Sequence, residues 1–178
     1  GDMDFSDATP ESLLKLGACD GVRCFIKGEP HSKRKLSSKR WRLIFAISLV
    51  DQLVERLLSF NQNKLEIRNW KDCPSAPGLG LSDDAQLDYL YQEVVSSAAG
   101  KSFAEADVTG WDWSVKEWEL FSEAEMRIEL GHMSAPYAAM VRARYLCVSR
   151  SVYAMPDGVL LVLKYNGVQL SGCYNTSS

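Results

Sequence analysis

Apolar positions along this chain follow two rhythms. Short runs rich in β-branched and aromatic residues predict strands at Arg23–Lys27, where Val22, Cys24, Phe25 and Ile26 surround the charges, and at Leu43–Ile47. From Ser48 the spacing changes. Leu49, Val50, Leu53, Val54, Leu57 and Leu58 recur at helical intervals, which predicts a helix. Ser48 can cap its free N–H groups, and Asp51 suits its positive end. A helical turn is expected at Glu11–Leu16, within an acidic lead-in over residues 1–20.

Further on, residues 73–82 carry Pro74, Pro77, Gly78 and Gly80 and predict a loop. Asp83 or Asp84 then caps a helix that should bury Leu87, Leu90, Tyr91, Val94 and Val95. Phe103–Val108 predicts a strand. Ser114 is expected to open a helix with Val115, Trp118, Phe121 and Ile128 inside. Pro136 suits the first turn of a helix running to about Cys147. Val152–Met155 and Val159–Leu163 flank Pro156-Asp157-Gly158, which is hairpin chemistry. After Asn166 and Gly167, the residues from Ser171-Gly172 onward read as a helix beginning. Strands are not regularly interleaved with helices, and the hairpin favours antiparallel pairing. The expected class is α+β, with an antiparallel sheet packed on helices.

Composition agrees with a folded chain. Of 178 residues, 46% are apolar and 24% charged, which excludes a disordered polymer. No apolar run is long enough for a spanning helix, and Gly1-Asp2-Met3-Asp4 is too acidic for a secretion signal, so neither transmembrane anchoring nor secretion is expected. The cysteines, Cys19, Cys24, Cys73, Cys147 and Cys173, are odd in number and form no CxxC pair. Reduced thiols fit better than a disulfide framework or zinc site.

Charge changes the picture. The net charge is −3, yet between Arg23 and Arg42 eight cations (Arg23, Lys27, Lys33, Arg34, Lys35, Lys39, Arg40 and Arg42) face a single carboxylate, Glu29. A basic stretch on an acidic body suits a polyanion such as a triphosphate or an RNA backbone. A solvated basic loop is the plainer alternative.

Two other segments carry candidate chemistry. In Asp107-Val108-Thr109-Gly110-Trp111-Asp112, a carboxylate ends the predicted strand and a second follows a glycine turn. Carboxylates bind hard divalent cations, and two such ions about 3.5–4 Å apart can run phosphoryl transfer. The alternative is a strand end and a helix cap. In Ser171-Gly172-Cys173-Tyr174-Asn175-Thr176-Ser177-Ser178, a glycine beside hydroxyls could admit a nucleotide, or could be an ordinary cap cluster. His31 and His132 are distant in sequence and suggest no nucleophile pair. Gly78-Leu79-Gly80 lacks the Lys-Ser/Thr of a P-loop. Trp111, Trp113 and Trp118 could stack bases or fill a core.

Taken in order, these segments resemble the conserved motifs of positive-strand RNA virus RNA-dependent RNA polymerases, those of sobemoviruses first and poleroviruses next. Phe25-Ile26-Lys27-Gly28-Glu29-Pro30-His31 with Arg40-Trp41-Arg42-Leu43-Ile44 is similar to the basic fingers motif F. Ser48 to Arg56 resembles the stretch that follows it. Ala104 to Val115 looks like palm motif A, and Ser171-Gly172 with Thr176-Ser177-Ser178 looks like the start of motif B. Trp118-Glu119-Leu120 and Glu125-Met126-Arg127-Ile128 also have sobemovirus counterparts. The likeness runs from about residue 20 to the end.

The resemblance implies a right-hand polymerase fold: a lead-in over 1–20, fingers over 21–102 and partial palm over 103–178. It implies a nucleotidyltransferase in viral RNA replication. Asp107 would be catalytic and bind the metals, Mg²⁺ or Mn²⁺. Lys27, Arg40 and Arg42 would hold the triphosphate, with Glu29 bracing them. Asp112, Ser171 and Thr176 would sense the ribose, and Gly172 would give its loop freedom. The implied partners are viral RNA template and product strand and NTPs, then a genome-linked protein and other viral replication proteins. The implied location is the host cytoplasm, at membrane-associated replication complexes.

The 178 residues contain no Gly-Asp-Asp, the family's motif C. A fragment that does not polymerise by itself is therefore expected, with weak or no metal binding at Asp107. Two other readings stay open: a non-catalytic RNA- or NTP-binding fragment, and a reverse-transcriptase relative. Reverse transcriptases usually place a bulky aromatic where Asp112 stands.

Overall fold

A computed structural model describes residues 7–30, 32–39, 41–75, 77, 79–80, 83–96, 98, 100–102, 104, 106–108 and 110–173. The chain divides into two compact units, one built from residues 1–59 with 110–176 and the other from 60–109 with 177–178.

In the first unit, β1 (Val22–Ile26) pairs antiparallel with β2 (Leu43–Ala46). Alternation sends Val22 and Cys24 of β1 and Phe45 of β2 inward, while Arg23 and Phe25 point out. The expected hairpin is formed by β3 (Val152–Ala154) and β4 (Leu160–Val162). The sheet order is β2-β1-β3-β4, and β1 pairs with β3 in parallel. The expected wholly antiparallel sheet is therefore corrected to a mixed one. The 125 residues between β1 and β3 leave ample chain for the crossover that a parallel pair requires.

Helices cover the sheet. α1 (Pro10–Lys15) is capped by Thr9 and buries Leu13 beside Leu146 and Cys147. α6 (Glu117–Leu130) and α7 (Ala135–Ser149) run back to back, joined through Gly131–Met133. Leu120, Ala124 and Arg127 form the inward stripe of α6; Ala138, Val141, Tyr145 and Val148 belong to that of α7. Pro136 sits in the first turn of α7, as its fixed φ favours. Ser114 closes the short α5 (Trp111–Ser114) instead of opening α6. The N-terminus of α6 is secured by Glu119, whose carboxylate accepts from the Lys116 N–H at 2.7 Å. Val115 is buried as expected, but Trp118 is exposed.

The largest departure is α3 (Leu49–Arg68). Its buried residues are Asp51, Glu55 and Ser59, whereas Leu49, Val50, Leu53, Val54 and Leu57 are exposed. Only Leu58 of the apolar stripe packs against the core, partly buried.

α3 supplies both units, changing over between Ser59 and Phe60. In the second unit, Asp83 caps α4 (Asp84–Tyr89), accepting from the Gln86 N–H at 2.9 Å, and a π-helical segment, Leu90–Ser96, follows. Trp70 meets Tyr89 edge to face at 4.7 Å, with the Lys71 ammonium over both rings. Leu87, Tyr91 and Val95, expected inside, are exposed, and Leu90 is half-buried. The side chain of Val94 lies outside the described residues. Phe103–Val108 is no strand at its described positions, Ala104 and Ala106–Val108. Phe103 and Glu105 lie outside them.

Candidate functional site

The basic segment leaves the sheet as an excursion between β1 and β2. Its ends are tied where the Lys27 N–H donates to the Arg42 carbonyl at 2.8 Å. Within it, Ser32 caps α2 (Lys33–Ser37), which buries nothing and presents Lys33, Arg34 and Lys35 to solvent. Glu29 stands at the neck. One carboxylate oxygen lies 2.7 Å from the Lys27 ammonium and the other 3.5 Å from the Arg42 guanidinium. Arg42 is mostly exposed, so the second pair is screened and adds little to stability. What the pairs do is hold two cations on one side of the neck. Arg40 and Thr176 lie outside the described residues.

β2 is an edge strand, and Phe45 turns its N–H and C=O away from β1. Its N–H donates to the Ser171 hydroxyl at 3.2 Å. Its carbonyl faces Gly172 so closely that a Cβ there would collide with it. Gly172 is needed for space, a different reason from the loop freedom the resemblance implied. Ser171 itself stays exposed.

Phe45 also joins this turn to α5. Its ring meets Trp113 edge to face at 5.2 Å and Tyr153 at 5.6 Å. The chain entering the turn is tied to α5 and to the residue after it: the Gln169 N–H donates to the Asp112 carbonyl at 2.9 Å and the Val168 N–H to the Val115 carbonyl at 3.0 Å. That route needs Val168, fully buried, at φ +75°, a conformation costly for a β-branched residue.

Asp112 is half-buried. Burial pushes its carboxyl above the usual carboxylate range, and the nearby Arg42 guanidinium pulls it part of the way back. In the first unit, then, Lys27, Glu29, Arg42, Asp112, Ser171 and Gly172 gather about the strand β2. Asp107 belongs to the second unit and is exposed. Among the described residues no three His, Cys, Asp or Glu side chains cluster for a metal ion. Asp107 offers a carboxylate of the right chemistry for Mg²⁺ or Mn²⁺, but the described residues do not complete a site around it.

Sequence reading missed a buried ionic cluster. Arg144 of α7 reaches Asp51 at 2.6 Å and Glu55 at 2.7 Å, all three being buried. Asp51 also accepts from the Ser48 hydroxyl at 2.9 Å and the Asp20 N–H at 3.1 Å. The available signal was two carboxylates one helical turn apart on a helix, but it names no partner.

Comparison with known proteins covers nearly the whole chain. The family described as viral RNA-directed RNA-polymerase matches residues 2–178. The RNA-directed RNA polymerase of Mushroom bacilliform virus is 47% identical over 180 residues, taking in 100% of this chain and 42% of that protein. The Replicase polyprotein P2AB of Southern bean mosaic virus is 45% identical over 175 residues, or 98% of this chain and 18% of the polyprotein. Protein P1-P2 of Turnip yellows virus is 43% identical over 190 residues, again 18% of its length. The chain thus spans between about a fifth and two fifths of these curated relatives.

Proposed function

The chain belongs to the viral RNA-directed RNA polymerases, and from that membership we propose that it forms the fingers (residues 21–102) and front palm (103–178) of a right-handed enzyme that copies viral RNA. Template-directed nucleotidyl transfer is the reaction. The 3′-hydroxyl of the product strand attacks the α-phosphate of an NTP, and pyrophosphate leaves.

The residues divide the work by chemistry. Lys27, Arg40 and Arg42 neutralise the triphosphate as it enters, and Glu29 holds Lys27 and Arg42 on one side of the neck. Ser171 and Thr176, with Asp112, contact the ribose and select for its 2′-hydroxyl. Asp107 supplies a carboxylate for the divalent ions, and such ions, when bound, activate the attacking hydroxyl and stabilise the leaving oxygen. The 178 residues contain no Gly-Asp-Asp, and alone they do not polymerise. An acidic residue at 112 in place of a bulky aromatic favours ribonucleotides over the substrates of a reverse transcriptase. The setting proposed is the host cytoplasm, at membrane-associated replication complexes. Among the described residues no helix is long and apolar enough to cross a membrane.

The observation that carries this reading is the gathering of cations, Asp112 and the Ser171-Gly172 turn about one edge strand, from three separated stretches of a chain of this family. RNA binding tests it. Affinity of the purified chain for single-stranded RNA should fall steeply with salt, and Arg42→Ala should lower the log–log slope by about 0.7. Binding that is indifferent to salt and to Arg42 would contradict the assignment.

A further inference from the structure

The Ser171-Gly172 turn has a second anchor. Cys173, the next residue, is buried and lines one small cavity with Glu55 and Arg144, its thiol placed to donate to the Glu55 carboxylate. Burial, then the Glu55 carboxylate, push that thiol well above its usual range, so it is protonated and able to donate. Glu55 in turn accepts two bonds from Arg144, at 2.9 and 2.7 Å. A rigid path therefore runs from α7 through α3 to the turn. On the turn's other side, Phe45 of β2 meets both Ser171 and Gly172.

We propose that Cys173 is a positioning residue: through its hydrogen bond to Glu55 it seats the Ser171-Gly172 turn on β2 and so sets where the Ser171 hydroxyl stands. Burying three charged groups does not by itself stabilise a fold, since desolvation offsets most of the attraction. A buried ionic cluster does fix geometry. Here Asp51 is tied to the chain just after β2 through Ser48, and Glu55 is tied to the chain just after Gly172 through Cys173. The two segments that meet at Phe45 are thereby held by the same guanidinium. The consequence for nucleotide binding rests on the function proposed above; the seating of the turn does not.

Cys173→Val removes the donor. A cavity of about 30 Å³, lined in part by Cys173, Glu55 and Arg144, has room for the extra methyl. Cys173→Ser restores a donor. Amide exchange of Phe45 reports the seating, because its N–H is held by Ser171, and exchange of the Val141 amide reports the core. Binding of a fluorescent ATP analogue with Mg²⁺ is measured in parallel. In the valine variant, Phe45 exchange should quicken about tenfold while Val141 exchange and the urea midpoint hold, with recovery in the serine variant. Analogue binding should weaken and recover in step. Unchanged Phe45 exchange, or equal quickening at Val141, overturns the proposal. Faster Phe45 exchange with untouched analogue binding upholds the seating and overturns the nucleotide role of Ser171. If the valine variant does not fold, Cys173→Ala is read by the same criteria.

Discussion

The carbonyl oxygen of Phe45 occupies the space into which any side chain on Gly172 would have to grow. The obstacle is backbone on a paired strand, not the tip of a mobile side chain, so it cannot step aside cheaply. Gly172→Ala should cost about 1–3 kcal/mol through overpacking and lift Ser171 off β2. Urea denaturation measures the first, and faster exchange of the Phe45 amide the second.

Arg144 neutralises two buried carboxylates at once. Arg144→Met should destabilise by about 3–5 kcal/mol, because Asp51 and Glu55 would stay buried without their cation. The triple change Arg144→Met, Asp51→Asn, Glu55→Gln removes the stranded charges and should recover much of that loss. Urea midpoints of the two proteins make the comparison. A triple variant no more stable than the single one would contradict it.

The contrast with α3 shows where sequence patterns suffice. β1, β2, the hairpin and the Pro136 start of α7 were legible because strand alternation, turn chemistry and proline's fixed φ are local. The apolar stripe on α3 gave the helix but not its buried face. Asp51 and Glu55 turn inward to meet Arg144, which lies 93 and 89 residues away in sequence. The parallel β1–β3 pairing is likewise non-local. At the site, the nature of Lys27, Glu29, Arg42 and Asp112 could be read from the sequence. The docking of Ser171-Gly172 on Phe45 could not, since nothing near residue 45 announces a partner at 171.

Asp112 gives a pH signature. Its folded-state affinity for a proton is raised by burial, with Arg42 opposing. Such a group withdraws stability as pH climbs from the unfolded carboxylate value, about 3.9, through the raised folded value, and the deficit persists above it. Asp112→Asn should therefore gain stability relative to the parent across that window and keep the gain at neutral pH. In a polymerase containing this segment, the same change should weaken preference for ribonucleotides over deoxyribonucleotides by about 10- to 100-fold. Stability curves from pH 3.5 to 7 and paired kcat/KM values check the two halves.

Transplantation tests whether this chain serves as the catalytic front of an RNA-copying enzyme. The 178 residues replace the matching segment of the Mushroom bacilliform virus polymerase, and primer extension on an RNA template is measured with Mg²⁺. The chimera should extend the primer, and Asp107→Asn should lower its rate by about a thousandfold or more, as expected when a ligand to catalytic metal is lost. A chimera that extends RNA equally well with Asp107→Asn would contradict it.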